Sequence, residues 1–326
     1  MNAWRLAIVI AATVGLSVFG LACEGNDEGG VRLGGEADDS DGVGCDAPLS
    51  VSAAVVMDTS KAGEVDMLVM ATDQCDQGVD LSVDEITVEE STDGDEWLPV
   101  GINFRDLGVM SVSLTMDFSG SMEDYIDDLR HAVRIFVDQL DDNDEAQIIK
   151  FSTDVEVVQN FTSNTSELHS AIDAGWDYAG GATALYESTG MAVEEVAAQE
   201  FPRATVAFTD GVDTMTEYDD IENQIYNITH QATQSGVPVF TVGLGYVDTE
   251  ILSLIADETN GLFFNAPQEE ELEGIYRKIS GILSTANRLN YESNFDEGEV
   301  RVRITINHPA GDLVLYDQIE LRYTFE

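Results

Sequence analysis

Positive charge is scarce in this chain. Its 326 residues hold 14 Lys and Arg against 63 Asp and Glu, a formal net charge of −49. The lysines are Lys61, Lys150 and Lys278 alone. Nucleic-acid binding draws its affinity from counter-ions released by clustered cations, so that class of partner is excluded. Histidine is sparse as well, and His131, His169, His230 and His308 are scattered. No G-x-S-x-G, phosphate loop or Ser/His/Asp order occurs, and a serine nucleophile needs a base within reach. An enzyme with a small-molecule substrate is therefore not expected. Cysteine is limited to Cys23, Cys45 and Cys75. No histidine sits near Cys45 or Cys75, which argues against a metal site there.

Apolar residues make up 44% of the chain, enough for one large core or two modest ones. Self-repulsion at this density of acids is best tolerated where salt screens it. An exported protein from a saline habitat is one expectation, and a soluble acidic surface the plain alternative. The first residues, MNAWR, carry one cation and lead into the apolar run LAIVIAATVGLSVFGLA. That shape predicts a signal peptide over 1–22. "FGLAC" resembles the lipobox of bacterial lipoproteins, although Gly20 and Leu21 depart from its usual order. The resemblance implies lipidation of Cys23 and anchoring to a membrane by lipid alone, at the periplasm or the cell surface. A plain cleaved signal or a retained anchor is the alternative. With Cys23 lipidated, Cys45 and Cys75 remain as a candidate disulfide in a compartment that permits one. Residues 23–46 contain eight acids and one arginine among many glycines, and read as a self-repelling tether.

From 47 to 107 the pattern predicts short strands separated by polar turns: "LSVSAAVVM", "VDMLVMAT", "EITVEE" and "WLPVGINF". From about 122 the period lengthens. Ile126, Leu129, Val133, Phe136, Val137 and Leu140 recur at helical spacing with acids opposite. Strands "QIIKFST", "EVVQNFT", "RATVAFTD", "VPVFTVGLG" and "GLFFNA" then alternate with helices predicted over 165–174, 183–199, 217–235, 248–258 and 268–287. Such alternation implies an α/β, doubly wound, mostly parallel sheet covered on both faces. After 287 the pattern returns to strand. Val300, Val302, Ile304 and Ile306 alternate with polar residues, as do Ile319, Leu321, Tyr323 and Phe325. These strands are expected to join those of 47–107 in a small antiparallel β-sandwich that flanks or surrounds the α/β part.

In "VSLTMDFSGSM" an apolar run stops at Asp117, Ser119 and Ser121. Ligands of open α/β sheets bind outside the carboxyl ends of the strands. Two further segments fall at equivalent places: "AGGATALYES", with Thr183, and "VAFTDGVDT", with Asp210. Two carboxylates and three hydroxyls form a hard, all-oxygen set suited to Mg²⁺, Mn²⁺ or Ca²⁺. D-x-S-x-S, a threonine in a glycine-bearing loop and a T-D-G turn, in that order, resemble the von Willebrand factor type A domain with a complete metal-ion-dependent adhesion site. The resemblance covers about 108–286. It implies that Ser119, Ser121 and Thr183 offer hydroxyl oxygens, and that Asp117 and Asp210 reach the ion directly or through water. A protein partner's Glu or Asp carboxylate then completes the shell. "VMATDQCDQGVDLSVDEITVEESTDG" more weakly resembles the small β-domain that often precedes such domains in exported bacterial proteins.

Two decoys carry less. Asp58 and Ser60 imitate the D-x-S-x-S start, but position 62 is Ala and no threonine loop follows at suitable spacing. "DDNDEA" lacks the glycine and terminal glutamate of an EF-hand loop. The expectation is thus a lipid-anchored adhesion module dependent on a divalent cation. The rival is a scaffolding envelope lipoprotein in which the ion only stabilises the fold.

Overall fold

A computed structural model describes residues 51–58, 63–73, 76–105, 107–176, 180–210, 212–245, 247–266, 271–310 and 313–325. Cys23, Cys45 and Cys75, with the expected leader and tether, lie outside the described residues.

Among the described residues five strands come first: β1 (Val51–Asp58), β2 (Glu64–Asp73), β3 (Ile86–Ser91), β4 (Leu98–Val100) and β5 (Asn103–Arg105). The α/β part follows, with β6 (Ser111–Asp117), α1 (Ile126–Val137), β7 (Glu145–Phe151), β8 (Val155–Thr162), α2 (Thr165–Asp173) and α3 (Leu185–Ala197). It continues through β9 (Arg203–Thr209), α4 (Ile221–Gln234), β10 (Val239–Leu244), α5 (Thr249–Glu258), β11 (Phe263–Ala266) and α6 (Leu272–Ser284). Then come β12 (Asn287–Glu292), β13 (Gly298–Ala310) and β14 (Leu313–Phe325).

The central sheet runs β11-β10-β9-β6-β7-β8. All neighbours are parallel except β8, which returns antiparallel beside β7. The turn between those two strands is only residues 152–154, too short for the crossover that a parallel neighbour requires. Every residue of β6, β9 and β10 is buried, because helices cover both faces. Side chains of α1, α2 and α6 form one apolar layer with Leu114, Met116 and Phe208. Those of α3, α4 and α5 pack on the other face with Phe151 and Val239.

The remaining strands among the described residues form two antiparallel sheets, ordered β1-β2-β12-β5 and β14-β13-β3-β4. Their shared core contains Val65, Met67, Val69, Leu289, Val302 and Tyr323. β2 is apolar on both faces for a visible reason: Met67 and Val69 face that core, while Leu68 and Met70 pack with the α/β layer. β12, which follows the last helix, pairs with both β2 and β5, and β13 pairs with β3. The segment "WLPVGINF" is not one strand. It divides at Gly101 into β4, paired with β3, and β5, paired with β12, so it bridges the two sheets. Asp58 ends β1 opposite Asp66 of β2, in an antiparallel ribbon outside the central sheet.

Candidate metal centre

β6 lies at the point where the strand order reverses, with β7 on one side and β9 on the other. Crossovers leave in opposite directions there and open a crevice at the carboxyl ends of the strands. Asp117 is the last residue of β6, and Asp210 directly follows β9. Both carboxylates therefore meet in that crevice.

Asp117 is fully buried. Its Oδ1 accepts from the Ser119 backbone N–H at 2.8 Å, and its Oδ2 accepts from the Thr209 hydroxyl at 2.7 Å. Ser119 Oγ lies 3.3 Å from Ser121 Oγ, and the Ser121 hydroxyl donates to Asp210 Oδ1 at 2.7 Å. The alternation of Asp117, Ser119 and Ser121 is not strand pleat. Residues 120–124 form a short 3-10 turn, and this turn folds both serines back toward the strand end.

Thr183 is buried, and its loop is tied to its neighbours through the backbone. The Gly120 N–H donates to the Gly181 carbonyl at 3.3 Å, and the Gly180 N–H to the Phe118 carbonyl at 2.9 Å. The Ala182 N–H donates to Thr153 Oγ1 at 2.9 Å. Thr183 and Thr214 clamp each other: the Thr183 N–H donates to Thr214 Oγ1, and the Thr214 N–H to the Thr183 carbonyl, both at 2.9 Å. Asp213 Oδ2 accepts from the Tyr186 N–H at 3.0 Å, and its Oδ1 accepts from Met215 and Thr216 N–H groups. It thereby satisfies a donor at the first turn of α3, whose own N-cap residue is Ala184. Asp117, Ser119, Ser121 and Asp210 thus form one hydrogen-bonded cluster, and the loop that carries Thr183 is tied to it through the Gly120–Gly181 and Gly180–Phe118 backbone hydrogen bonds.

Burial pushes the Asp117 carboxyl up to about 6, helped by the nearby Asp210 charge and opposed by hydrogen bonds from Thr209 and Ser119. Burial also raises Asp210, against the Ser121 hydrogen bond. Loss of hydration disfavours the charged form of an acid, and an adjacent cation restores it. Among the described residues neither carboxylate has an ion-pair partner. The donor set is two carboxylates and three hydroxyls, all hard oxygen, and it fits a divalent cation of the Mg²⁺, Mn²⁺ or Ca²⁺ kind. No group of three or more His, Cys, Asp or Glu suited to a metal occurs among the described residues. An ion held here would depend on the hydroxyls.

Sequence reasoning passed over five contributors. Thr209 precedes the T-D-G aspartate and looks like a strand residue, while Asp213 and Thr214 look like ordinary turn residues. Lys150 did leave a signal, as a lysine inside the apolar run "QIIKF". It is fully buried, its Nζ donates to the Ile172 and Ala174 carbonyls at 2.9 Å each, and it sits 4.9 Å from the centre of the Phe118 ring. Arg130, 5.5 Å from the same ring, donates to the Trp176 carbonyl. Two of the chain's few cations thus brace residues 172–176, at the end of α2, against the residue that follows Asp117.

Several solved structures match the chain at low identity. A von Willebrand factor type A protein from Catenulispora acidiphila is 14% identical, over 83% of this chain and 73% of its own, with a TM-score of 0.49. The vWF domain of the type V pili tip protein Mfa5 from Porphyromonas gingivalis is 11% identical, over 55% and 96%, with a TM-score of 0.46. Proximal thread matrix protein 1 from the mussel byssus, with a zinc-occupied MIDAS motif, is 16% identical over 58% and 48%, with a TM-score of 0.45. No curated protein matches the chain in sequence. The family profile of the von Willebrand factor type A domain matches residues 112–278, about half the chain, from β6 into α6. On that match, with the doubly wound sheet around it, the chain belongs to the von Willebrand factor type A domain family.

Proposed function

We propose that this protein is a non-enzymatic binding module that captures a protein partner through a divalent cation held by Asp117, Ser119, Ser121, Thr183 and Asp210. Mg²⁺ is the leading ion, with Mn²⁺ or Ca²⁺ as substitutes. One observation carries the reading: two buried or half-buried carboxylates, with no ion-pair partner among the described residues, are joined through Ser119 and Ser121 at the switch point of the sheet. Few protein carboxylates leave an ion electron-poor, so an incoming Glu or Asp binds it strongly. The exported, lipid-anchored setting, with Cys23 as the lipidated residue, belongs to the same proposal and is supported by the leader pattern. Among the described residues no helix is long and apolar enough to cross a membrane.

Calorimetric titration of Mg²⁺, Mn²⁺ and Ca²⁺ into the protein tests the reading, with Asp117→Ala and Ser121→Ala alongside. One saturable site, lost in Asp117→Ala while thermal unfolding still reports a folded chain, is the expected result. Ion binding that raises the unfolding temperature yet never admits a carboxylate would favour the scaffolding role instead. No binding to the folded wild type, with or without a glutamate-bearing peptide, refutes the assignment.

A further inference from the structure

The loops around the proposed ion site carry one sign of charge. Residues 117–124, 152–154, 180–188, 210–220 and 245–250, which follow the parallel strands or lead into α3, contain twelve Asp and Glu and no Lys, Arg or His. Asp117, Asp210 and Asp213 are buried among them, whereas Glu123, Asp124, Glu187, Glu217 and Asp219 are exposed. Most cations lie elsewhere. Arg105, Arg288, Arg301, Arg303 and Arg322 belong to the sandwich strands, Lys150 is turned inward beside Phe118, and Arg130, beside the same ring, is mostly buried between Asp127 and the Trp176 carbonyl. Within this acidic rim stand two exposed apolar side chains, Val212 at 45% and Met215 at 46%, on the loop that begins with Asp210.

The proposed ion contact requires a carboxylate to approach through this field. Like-charge fields of this kind lower the rate of encounter, and complementary ones raise it, by about 10- to 1,000-fold. A second copy of this chain presents the same acidic surface, and an anionic lipid surface adds phosphates to a face that already repels them. We infer that the partner is a protein that offers its single metal-binding carboxylate from within a basic surface, with an apolar side chain beside it to cover Val212 and Met215. This rests on the proposed metal function and narrows its partner class. The carboxylate supplies the contact to the ion, the flanking cations bring it there, and the apolar contact excludes water from the junction.

Three fluorescent synthetic peptides test this by anisotropy against the full chain in Mg²⁺: one glutamate beside leucine among lysines, the same among serines, and the lysine peptide with Gln for Glu. The lysine–glutamate peptide is expected to bind at least ten-fold tighter than the serine–glutamate peptide at about 50 mM salt, with the gap closing toward 1 M as screening shortens. EDTA or the Gln replacement should remove most of its binding. Glu217→Lys with Asp219→Lys, both outside the ion cluster, should remove most of the preference while Mg²⁺ binding stays intact. Equal affinity for both glutamate peptides, or a preference unchanged by the rim reversal, overturns the basic-partner inference and leaves the metal function standing. Equal binding of the Gln peptide, with or without Mg²⁺, overturns it as mere adhesion to an acidic surface. Engagement by none of the peptides, with Mg²⁺ bound, overturns both readings.

Discussion

Gly181 has a φ of +86°, and a Cβ placed there would lie 2.5 Å from Thr153 Oγ1, the atom that accepts from the Ala182 N–H. Gly181→Ala therefore acts in two separable ways. Left-handed backbone costs an L-residue about 1–2 kcal/mol. The added methyl also turns the Thr153 hydroxyl away, and a lost neutral hydrogen bond costs about 1 kcal/mol. Together these place Gly181→Ala about 2–3 kcal/mol below wild type. Thr153→Ala alone loses only the hydrogen bond, about 1 kcal/mol. In the double variant the methyl meets no hydroxyl and the hydrogen bond is lost once. Its cost should fall short of the sum of the single variants by about 1 kcal/mol, well above the ~0.3–0.5 kcal/mol scatter of independent sites. Urea unfolding of the four proteins without added metal measures this coupling. Strict additivity would refute the contact between these two positions as the source of the loss. In the same series Mg²⁺ affinity should weaken in both Gly181 variants, because Gly181 receives the Gly120 N–H between Ser119 and Ser121.

Further outcomes follow from other parts of the molecule. Gly261→Ala would set its methyl on the backbone of Val239, where neither side can yield cheaply, and should cost about 4 kcal/mol or more by thermal unfolding. Gly274→Ala, in the first turns of α6 with open space around it, should instead stabilise by about 0.5 kcal/mol; equal signs for the two would refute the packing argument. In the sandwich, burial raises the phenols of Tyr291 and Tyr323 above their usual 10, so their contribution is complete below pH 10 and is lost as pH rises beyond it. Each should steepen alkaline destabilisation by about 1.4 kcal/mol per pH unit, and Tyr323→Phe should remove one such increment. The same substitution should lower stability at pH 7 by about 1.5–3 kcal/mol, because fully buried Glu90 loses the Tyr323 hydroxyl while keeping the Asn294 N–H. Finally, at a net charge of −49 the unfolding temperature should rise between 0.05 and 1 M NaCl, and a fall would contradict the dominance of self-repulsion.

Much of the fold could be read from residue spacing, because the burial it reflects is local. Val300, Val302, Ile304 and Ile306 alternate in sequence and are buried together in the structure. The helical spacing from Ile126 to Val137 corresponds to α1, although its expected start at 122 is a 3-10 turn. What stayed hidden depends on distant partners. Nothing near Asp213 announces that it serves the Tyr186 N–H, and nothing near Thr209 announces the carboxylate of Asp117. The antiparallel direction of β8 follows from a short turn that resembles any other polar cluster. Leu98 and Phe104, six residues apart, belong to different sheets because of chain direction around Gly101, not because of side-chain pattern.

The α/β part leaves the sandwich after β5 and returns as β12, and those two strands are hydrogen-bonded neighbours, with Arg105 opposite Arg288 and Asn103 opposite Asn290. Its two connections are thus fastened side by side, like both ends of a loop of rope tied to one cleat. Tension applied along the chain from before β1 to after β14 runs through the sandwich strands and bypasses the central sheet. A load applied to the α/β part, at the crevice end of β6, instead reaches the β5–β12 pair from the other side, where the two strands are pulled in the same direction. The geometry keeps the crevice at the end of β6 mechanically quiet when the ends are stretched, and passes a tug on the α/β part through both strands together to the pairing of β12 with β2.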